Sequence, residues 1–230
     1  MLFISFMLQF FMPKSAPRSR RKNAPRRQAR GLRTREAILA RAVDIASVQG
    51  LEGLTVGSLA EQLHMSKSGL FAHFGSKQDL QLATIEAART IFIKKVTRPA
   101  LAAPKGMPRL WGLLEQWLVL VEKRVFPGGC FFSAASFEFD SRRGAVHDRI
   151  AAIMHEWIAV ITRAVYEAQK AGHLDPKVDP TRLAFEIHAI AMGAHWASQL
   201  LDDRHAYSRA RTIVLEKLRS IATLGSPQLP

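Results

Sequence analysis

The sequence predicts an all-α protein made of two helical units, and three observations support this fold class. Apolar residues recur at three- and four-residue steps along most of the chain from Thr34 onward, which is the spacing of a helix face. Glycine or proline stands where these stretches end. No segment shows the strict alternation of apolar and polar residues that predicts a strand. With 230 residues, the chain is long enough for a small N-terminal unit and a larger C-terminal one.

The first predicted helix begins near Thr34 and ends at Gly50, a residue type favoured just beyond a helix end. Thr55 and Ser66 each start a short helix, because their hydroxyls can accept a hydrogen bond from a free amide of the first turn. The second of these short helices ends at Gly75. The residues that these three helices turn inward are Ile38, Ala42, Ile45, Ala46, Val56, Leu59, Ala60, Leu63, Leu70 and Phe74.

A long fourth helix is predicted from Lys77 to about Thr97. Ser76 and Asp79 form a capping-box-like start, and Pro99 should stop the helix because proline has no amide to donate. Residues 99–108 carry three prolines and a glycine and are expected to form a hinge. The expected helices of the C-terminal unit span residues 110–125, about 146–172, 181–201 and about 206–222.

The predicted helix from Thr181 to Leu201 has apolar residues on both sides. One side carries Leu183, Ile187, Ile190, Ala194, Ala197 and Leu201. The opposite side carries Phe185, His188, Met192, His195 and Gln199. The last helix should bury Ile213, Val214, Leu218 and Ile221. Neither side of the Thr181 helix suits water, so a second surface must cover one of them.

The formal net charge of +14 is concentrated near the N-terminus. Residues 14–35 contain ten Lys or Arg and no acid, which leaves about +4 for the rest. We expect residues 1–30 to be a disordered basic arm that meets polyanions, with a solubilising tail as the alternative.

The first twelve residues are almost wholly apolar. They are too few to span a bilayer, and they lack the preceding positive charges and following small-residue cleavage site of a signal peptide. Met7 or Met12, rather than Met1, is a candidate translation start. The single cysteine, Cys130, excludes an intrachain disulfide, so we expect a cytoplasmic protein.

The two short helices form a candidate helix-turn-helix. In such a motif the first helix presents the second to the major groove, where base edges distinguish all four base pairs. Ala60 supplies the small residue where the helices cross. The residues left for the outside of the second helix are Ser66, Lys67, Ser68, Gly69, Phe71, Ala72 and His73.

This stretch resembles the DNA-binding domain of the tetracycline-repressor (TetR) family of transcriptional regulators. The likeness covers Thr34 to about Ala88 and is most specific in the Leu-x-x-His-Phe-x-Ser-Lys pattern of residues 70–77. It implies an N-terminal helix-turn-helix domain over residues 31–91, joined by a long helix to a C-terminal helical domain over 105–224 for effector binding and dimerisation. It also implies a homodimeric repressor that a small molecule releases from a palindromic operator. We expect no cofactor, no metal and no membrane partner.

The resemblance assigns roles position by position. Lys67, Ser68 and Gly69 occupy base-facing places, and Thr55, His73 and Lys77 occupy phosphate-contacting ones. Ser66 and Phe71 complete the predicted DNA-binding set.

Three residues depart from the family pattern. His64 stands where the family usually has glycine and must accept a positive φ. Phe71 replaces the usual tyrosine and loses a hydroxyl, and Gly57 has no side chain to reach DNA. We therefore expect sequence readout to depend on Lys67 and the arm.

Large apolar side chains and one histidine of the C-terminal unit are the candidate effector pocket. They are Trp111, Phe131, Phe132, Phe137, Trp157, His188, Met192 and Trp196. They favour a mostly apolar ligand. Family resemblance also implies that the last two helices form a four-helix bundle in a dimer, whereas packing of both faces within one monomer is the alternative.

Two other functions compete with an operator-binding regulator, and a metal site is a further possibility that the histidine spacing disfavours. The basic arm is also compatible with a non-specific DNA- or anionic-surface-binding protein. Cys130 after two glycines suggests a nucleophile, yet nothing places a base beside it, so we predict no enzyme. His188 and His195 stand about 10 Å apart along a helix, too far for two direct ligands of one zinc ion.

Overall fold

A computed structural model of the chain describes residues 24–229, and within them it contains helices, turns and two isolated β-bridges. The predicted all-α class is confirmed. The expectations for the apolar start, the translation start and the first part of the basic arm concern residues outside this range. Across 24–229, none of the helices is both long and apolar enough to cross a membrane.

The helices are numbered in chain order. They are α1 Ala24–Gly53, α2 Val56–Gln62, α3 Lys67–Phe74, α4 Lys77–Phe92, a π-helical turn Ile93–Thr97, α5 Arg98–Ala102, α6 Met107–Glu122, α7 Phe131–Phe139, α8 Ala145–Lys170, α9 Pro180–Leu200 and α10 Ala206–Ser220.

Helix α1 begins at Ala24, ten residues before the predicted start near Thr34. The expected disordered arm is therefore helical from Ala24 onward. Arg, Gln and Ala are good helix formers, and an existing helix extends without a new nucleus. The chain divides into two units between Arg35 and Glu36, and every contact described below lies in the unit that starts at Glu36.

The connection from α4 to α5 differs from prediction. Pro99 does not stop the helix, because the backbone passes through a π-helical turn in which the Arg98 amide donates to the Ile93 carbonyl, five residues back. Pro99 then stands in the first turn of α5, where a missing amide leaves no hydrogen bond unmade. The predicted stop at Pro99 is wrong, and the hinge shortens to the residues between Ala102 and Met107.

Helix α6 is the centre of the C-terminal core. It packs against α8, α9 and the π-helical turn, and α9 also packs along α8 and α10. Nine of its residues are buried: Met107, Leu110, Trp111, Leu113, Leu114, Trp117, Leu118, Leu120 and Val121. Arg211 of α10 ties this core together through ion pairs with Glu115 and Glu122 of α6.

The loop between α6 and α7 lies directly against α1. The Gly128 amide donates to Ser47 Oγ at 3.1 Å. A Cβ at Gly128 would lie 1.7 Å from the Ser47 carbonyl oxygen, so only glycine allows this approach. This loop therefore fixes the end of α1 to the C-terminal domain.

Candidate DNA-binding surface and inner cavity

Helices α2 and α3 form the predicted helix-turn-helix. The Thr55 and Ser66 hydroxyls cap them, each accepting from the backbone amide three residues on, Ser58 and Gly69. His64 has φ of 51°, the left-handed conformation predicted for the turn. The Met65 amide then donates to the Ala60 carbonyl at 2.9 Å, which closes the turn.

The outer face of α3 holds most of the predicted DNA-binding residues. Leu70 is fully buried and Phe74 is nearly so, which anchors the helix to the core. Gly69 and His73 are half-buried on the flank. The exposed residues at the start and outer side of α3 are Ser66, Lys67, Ser68, Phe71 and Ala72.

Lys67 extends over Gly57 of α2. A Cβ at Gly57 would lie 3.5 Å from Lys67 Cε, an ordinary contact, so the lysine side chain lies directly beside α2 at this position. Sequence reasoning treated Gly57 only as a missing contact. The structure adds that Gly57 is the place where the Lys67 side chain meets α2.

Lys77 is paired within the protein. Its ammonium donates to the Glu52 carboxylate at 2.9 Å and to the Glu52 carbonyl at 3.0 Å. Hydrogen bonds from Lys77 and then Gln81 hold the pKa of Glu52 below its usual value. Lys77 must therefore share or leave this partner before it can bind a phosphate, and sequence reasoning did not foresee that.

Thr55 is exposed at the start of α2. Its hydroxyl accepts from the Ser58 amide at 3.0 Å and donates to Ser58 Oγ at 2.9 Å. The hydroxyl keeps one lone pair but has no spare proton, so a phosphate contact by Thr55 requires that its proton turn away from Ser58.

A small cavity lies inside the C-terminal domain, between α6, α8 and α9. Its free volume is about 10 Å³, near the minimum for one water molecule. Its lining consists of Leu110, Leu113, Leu114, Trp117, Trp157, Ile161, Ile187, His188 and Ala191. Burial lowers the pKa of His188, so its neutral ring offers one donor and one acceptor at an otherwise apolar wall.

The predicted pocket residues are spread over several places. Trp157 and His188 line the cavity. Trp111, Phe131 and Phe132 are buried elsewhere in the core. Met192 is half-buried and accepts a hydrogen bond from Ser133. Phe137 and Trp196 are 64% and 51% exposed, so they do not line the cavity. The α6 residues that do line the cavity, Leu110, Leu113, Leu114 and Trp117, were not predicted. Helix α6 is apolar on all sides, so its sequence indicates burial but not which side faces a cavity.

His195 lies in the core rather than on the second face of α9, contrary to the predicted pattern. Its Nε2 accepts from the Cys130 amide at 3.4 Å, so Nδ1 carries the proton and donates to the Tyr207 hydroxyl at 3.2 Å. Burial lowers the pKa of His195 to about 4. Cys130 is also buried, with the Trp117 indole N–H donating to its sulfur. Within residues 24–229 no group of three or more His, Cys, Asp or Glu side chains is placed to hold a metal ion.

Helix α9 leaves an apolar stripe uncovered. Phe185, Trp196 and Leu200 share one side of the helix and are 68%, 51% and 66% exposed. Ile213 of α10, predicted to be buried, is 48% exposed because Val214 takes the inward position. Helix α9 therefore has a second apolar face, as predicted. Phe185, Trp196 and Leu200 form this face, whereas His188 and His195 do not.

The chain matches two family models. Residues 38–84 match the model described as bacterial regulatory proteins, tetR family. Residues 106–214 match the model described as tetracyclin repressor-like, C-terminal domain. No curated protein sequence matches the chain significantly.

Solved structures share the fold at low sequence identity. A TetR transcriptional regulator from Chloroflexus aurantiacus J-10-FL is 24% identical, with a TM-score of 0.79 over 84% of this chain and 98% of that one. A TetR family regulator from Cytophaga hutchinsonii is 18% identical, with a TM-score of 0.74 over 84% and 97%. AibR, solved with isovaleryl coenzyme A and operator DNA, is 21% identical, with a TM-score of 0.64 over 81% and 97%. With both family models matched in chain order, this chain belongs to the TetR family of bacterial transcriptional regulators.

Proposed function

We propose that this regulator is a homodimeric repressor which binds a palindromic operator and leaves it when a small apolar molecule enters the C-terminal domain. We assign residues 31–91 to DNA binding and residues 105–224 to effector binding and dimerisation. The observation that carries the proposal is the exposed Ser66–Lys67–Ser68 segment at the start of α3, held by a buried Leu70 and a capped first turn. A repressor acts where the DNA is, so we expect it in the cytoplasm.

Lys67 is the proposed base-reading residue. Its ammonium donates to guanine O6 and N7, the two major-groove acceptors of that base. Ser68 adds a donor or acceptor, and Gly69 lets the backbone approach. We place Thr55, Ser66, Phe71, His73 and Lys77 at the sugar–phosphate backbone, where contacts set the register of the protein.

Lys77 can exchange partners at small cost. Both members of the Lys77–Glu52 pair have side chains about 43% exposed. Exposed ion pairs contribute only about 0.2–1 kcal/mol. A phosphate near the N-terminus of α4 would replace Glu52 with a stronger charge and would also meet the free amides there.

The uncovered stripe on α9 supports the homodimer. Phe185, Trp196, Leu200 and Ile213 give two neighbouring helices an apolar surface that water does not favour. A second copy related by twofold symmetry would cover it with the same stripe, forming a four-helix interface. Two recognition helices related by that axis would match a palindromic operator.

The inner cavity is the proposed effector site. Ligand pockets usually enclose about 300–1,000 Å³, so a cavity of about 10 Å³ must widen to admit an effector. The apolar lining with the neutral His188 favours a compact apolar molecule that carries one hydrogen-bonding group. AibR, which was solved with isovaleryl coenzyme A and operator DNA, supports the pairing of a ligand site with DNA binding on this fold but not the chemistry of the effector.

The basic arm supports a second candidate, a protein that binds DNA or another anionic surface without sequence preference. Its ten Lys and Arg between residues 14 and 35 are enough for strong salt-dependent binding. The two candidates differ in sequence selectivity, because only the repressor should bind one DNA sequence much more tightly than others.

The experiment is a fluorescence-anisotropy titration of the full chain with duplexes from the DNA flanking its own gene. A shuffled duplex of equal length and composition is the matched control. We expect one flanking duplex to bind at least about 1,000-fold more tightly than the shuffled one. Equal affinities for all duplexes would favour the non-specific candidate.

A further inference from the structure

A carboxylate from the C-terminal domain holds the end of α1. The Leu51 amide donates to Glu138 Oε2 and the Glu52 amide donates to Glu138 Oε1, both at 2.8 Å. Residues 51 and 52 belong to the helix-turn-helix domain, whereas Glu138 lies near the end of α7. One side chain thus joins the two domains through a two-pronged hydrogen bond.

The backbone of α1 is shaped for this contact. Gly50 has φ 78° and ψ 164°, which interrupts the helix and leaves the next amides without partners four residues back. Such free amides at the start of a helical turn favour a negative charge. A Cβ at Gly50 would lie 2.8 Å from Glu138 Oε1, so glycine is needed for both the conformation and the approach.

The helix that carries Glu138 is also in contact with the cavity wall, through aromatic rings. Trp157, which lines the cavity, meets Phe92 of α4 edge-on at 5.1 Å between ring centroids. Phe92 in turn meets Phe132 of α7 edge-on at 5.8 Å. Phe92 and Phe132 are buried in the close-packed core, so a movement of the half-buried Trp157 toward Phe92 would displace Phe132 and α7.

Two ion pairs between these domains hold a different helix. Arg89 and Glu86 of α4 pair with Glu156 and Arg149 of α8, all on the partly exposed surface. They fix α4 to α8 but do not touch α1. Helix α4 in turn holds the end of α1, because Lys77 pairs with Glu52 and Gln81 Nε2 donates to the Leu51 carbonyl at 2.9 Å. Glu138 and the Gly128 loop hold the end of α1 directly from the C-terminal domain.

We propose that Glu138 is a positioning residue for operator binding, and that effector entry acts on DNA affinity by displacing it. This inference rests on the proposed function above. With the effector absent, the carboxylate holds α1 so that both recognition helices of the dimer reach successive major grooves. When the cavity widens, Trp157, Phe92 and Phe132 shift α7, the two hydrogen bonds break, and the helix-turn-helix loses its fixed orientation.

The test compares the full-length variants Glu138→Gln and Asp140→Asn. Asp140 is exposed and lies two residues beyond Glu138, so its variant removes the same charge without touching α1. The ligands are the duplex that the wild-type chain selects from random DNA and a scrambled duplex of the same composition. Affinity is measured by fluorescence anisotropy, and thermal unfolding is followed alongside.

We expect Glu138→Gln to lose at least about fivefold in affinity for the selected duplex, with unchanged binding to the scrambled one. Asp140→Asn should match the wild type on both. A merely structural role would lower the unfolding midpoint and both affinities together. If Glu138→Gln is unfolded at the assay temperature, Glu138→Asp replaces it, since its shorter chain cannot reach both amides. Wild-type selectivity in the folded Glu138 variant overturns the inference, whereas a wild-type chain that selects no duplex overturns the proposed function.

The link to the cavity is tested by a double-mutant cycle with Trp157→Phe, which shrinks the ring between the cavity and Phe92. Its effect on the selected-to-scrambled affinity ratio should appear in the wild-type background and vanish in Glu138→Gln. No effect in either background, or equal effects in both, overturns coupling through Glu138.

Discussion

The substitution Gly128→Ala should destabilise the protein strongly, because two stretches of backbone meet at this glycine. Its Cβ would lie 1.7 Å from the Ser47 carbonyl oxygen and 2.4 Å from the Ser47 carbonyl carbon. Neither atom belongs to a flexible side chain, so the loop and α1 must separate by more than about 1 Å to reach ordinary contact. That movement also breaks the hydrogen bond from the Gly128 amide to Ser47 Oγ.

The expected loss in the free energy of unfolding has two parts. Overpacking a close-packed contact costs about 1–3 kcal/mol, and breaking a hydrogen bond costs about 0.5–1.5 kcal/mol. We therefore expect the free energy of unfolding to fall by about 2–4 kcal/mol, which lowers the melting temperature by roughly 5–15 °C for a chain of this size. Urea unfolding followed by circular dichroism measures it, with all variants at one protomer concentration because dimers unfold in a concentration-dependent way.

Gly112→Ala is the matched control. A Cβ there would lie 3.5 Å from Ala100 Cα, an ordinary contact, and Gly112 stands inside α6. Alanine should stabilise this helix by up to about 1 kcal/mol. Stability of Gly128→Ala within about 0.5 kcal/mol of the wild type would refute the close docking of the loop on α1.

Three further predictions concern the arm, the dimer and pH. Deletion of residues 1–30 should weaken DNA binding. The slope of log affinity against log salt concentration should become shallower by about 0.9 for each phosphate that the arm no longer neutralises. An unchanged slope would show that the arm does not bind DNA. Ile213→Glu should convert the dimer to a monomer in light scattering, while Thr212→Glu, on a different side of α10, stays dimeric. A dimeric Ile213→Glu variant would show that this surface is not the dimer interface. The pKa of His195 falls from 6.5 to about 4 on folding, so the unfolded chain binds the extra proton between these values and stability drops as pH falls through that window, by about 1.4 kcal/mol per pH unit. His195→Gln should flatten this dependence in urea unfolding, and an identical pH profile for the variant would contradict it.

Local features of the helix-turn-helix were predictable from the sequence. Thr55 and Ser66 were predicted as helix caps because a hydroxyl beside free amides has one dominant use, and both predictions are confirmed. The positive φ of His64 followed from the turn that the family resemblance implies, and it is confirmed as well. These features depend only on residues within a few positions of each other, which is why a sequence specifies them.

Features that depend on distant residues were not predictable. Glu138 contacts amides 86 and 87 residues away, and nothing in its own surroundings marks it as their partner. Lys77 was assigned to phosphate, but its pairing with Glu52 appears only once α4 packs beside the end of α1. Pro99 was predicted to end α4 because proline lacks an amide hydrogen, yet the backbone continues through a π-helical turn into α5. Phe137 and Trp196 were chosen as pocket residues for their size, and their exposure depends on how α7 and α9 are rotated in the fold.

The most direct test of operator reading by α3 is the base preference of wild-type and Lys67→Ala proteins, selected from the same pool of random duplexes. We expect a palindromic site for the wild type. In Lys67→Ala, preference should disappear at one or two base pairs of each half-site, with a cost of about 1–3 kcal/mol there and unchanged preference at the other positions. A uniform loss of affinity on selected and random DNA would contradict base reading by Lys67, and a wild-type chain that enriches no sequence would contradict operator binding altogether.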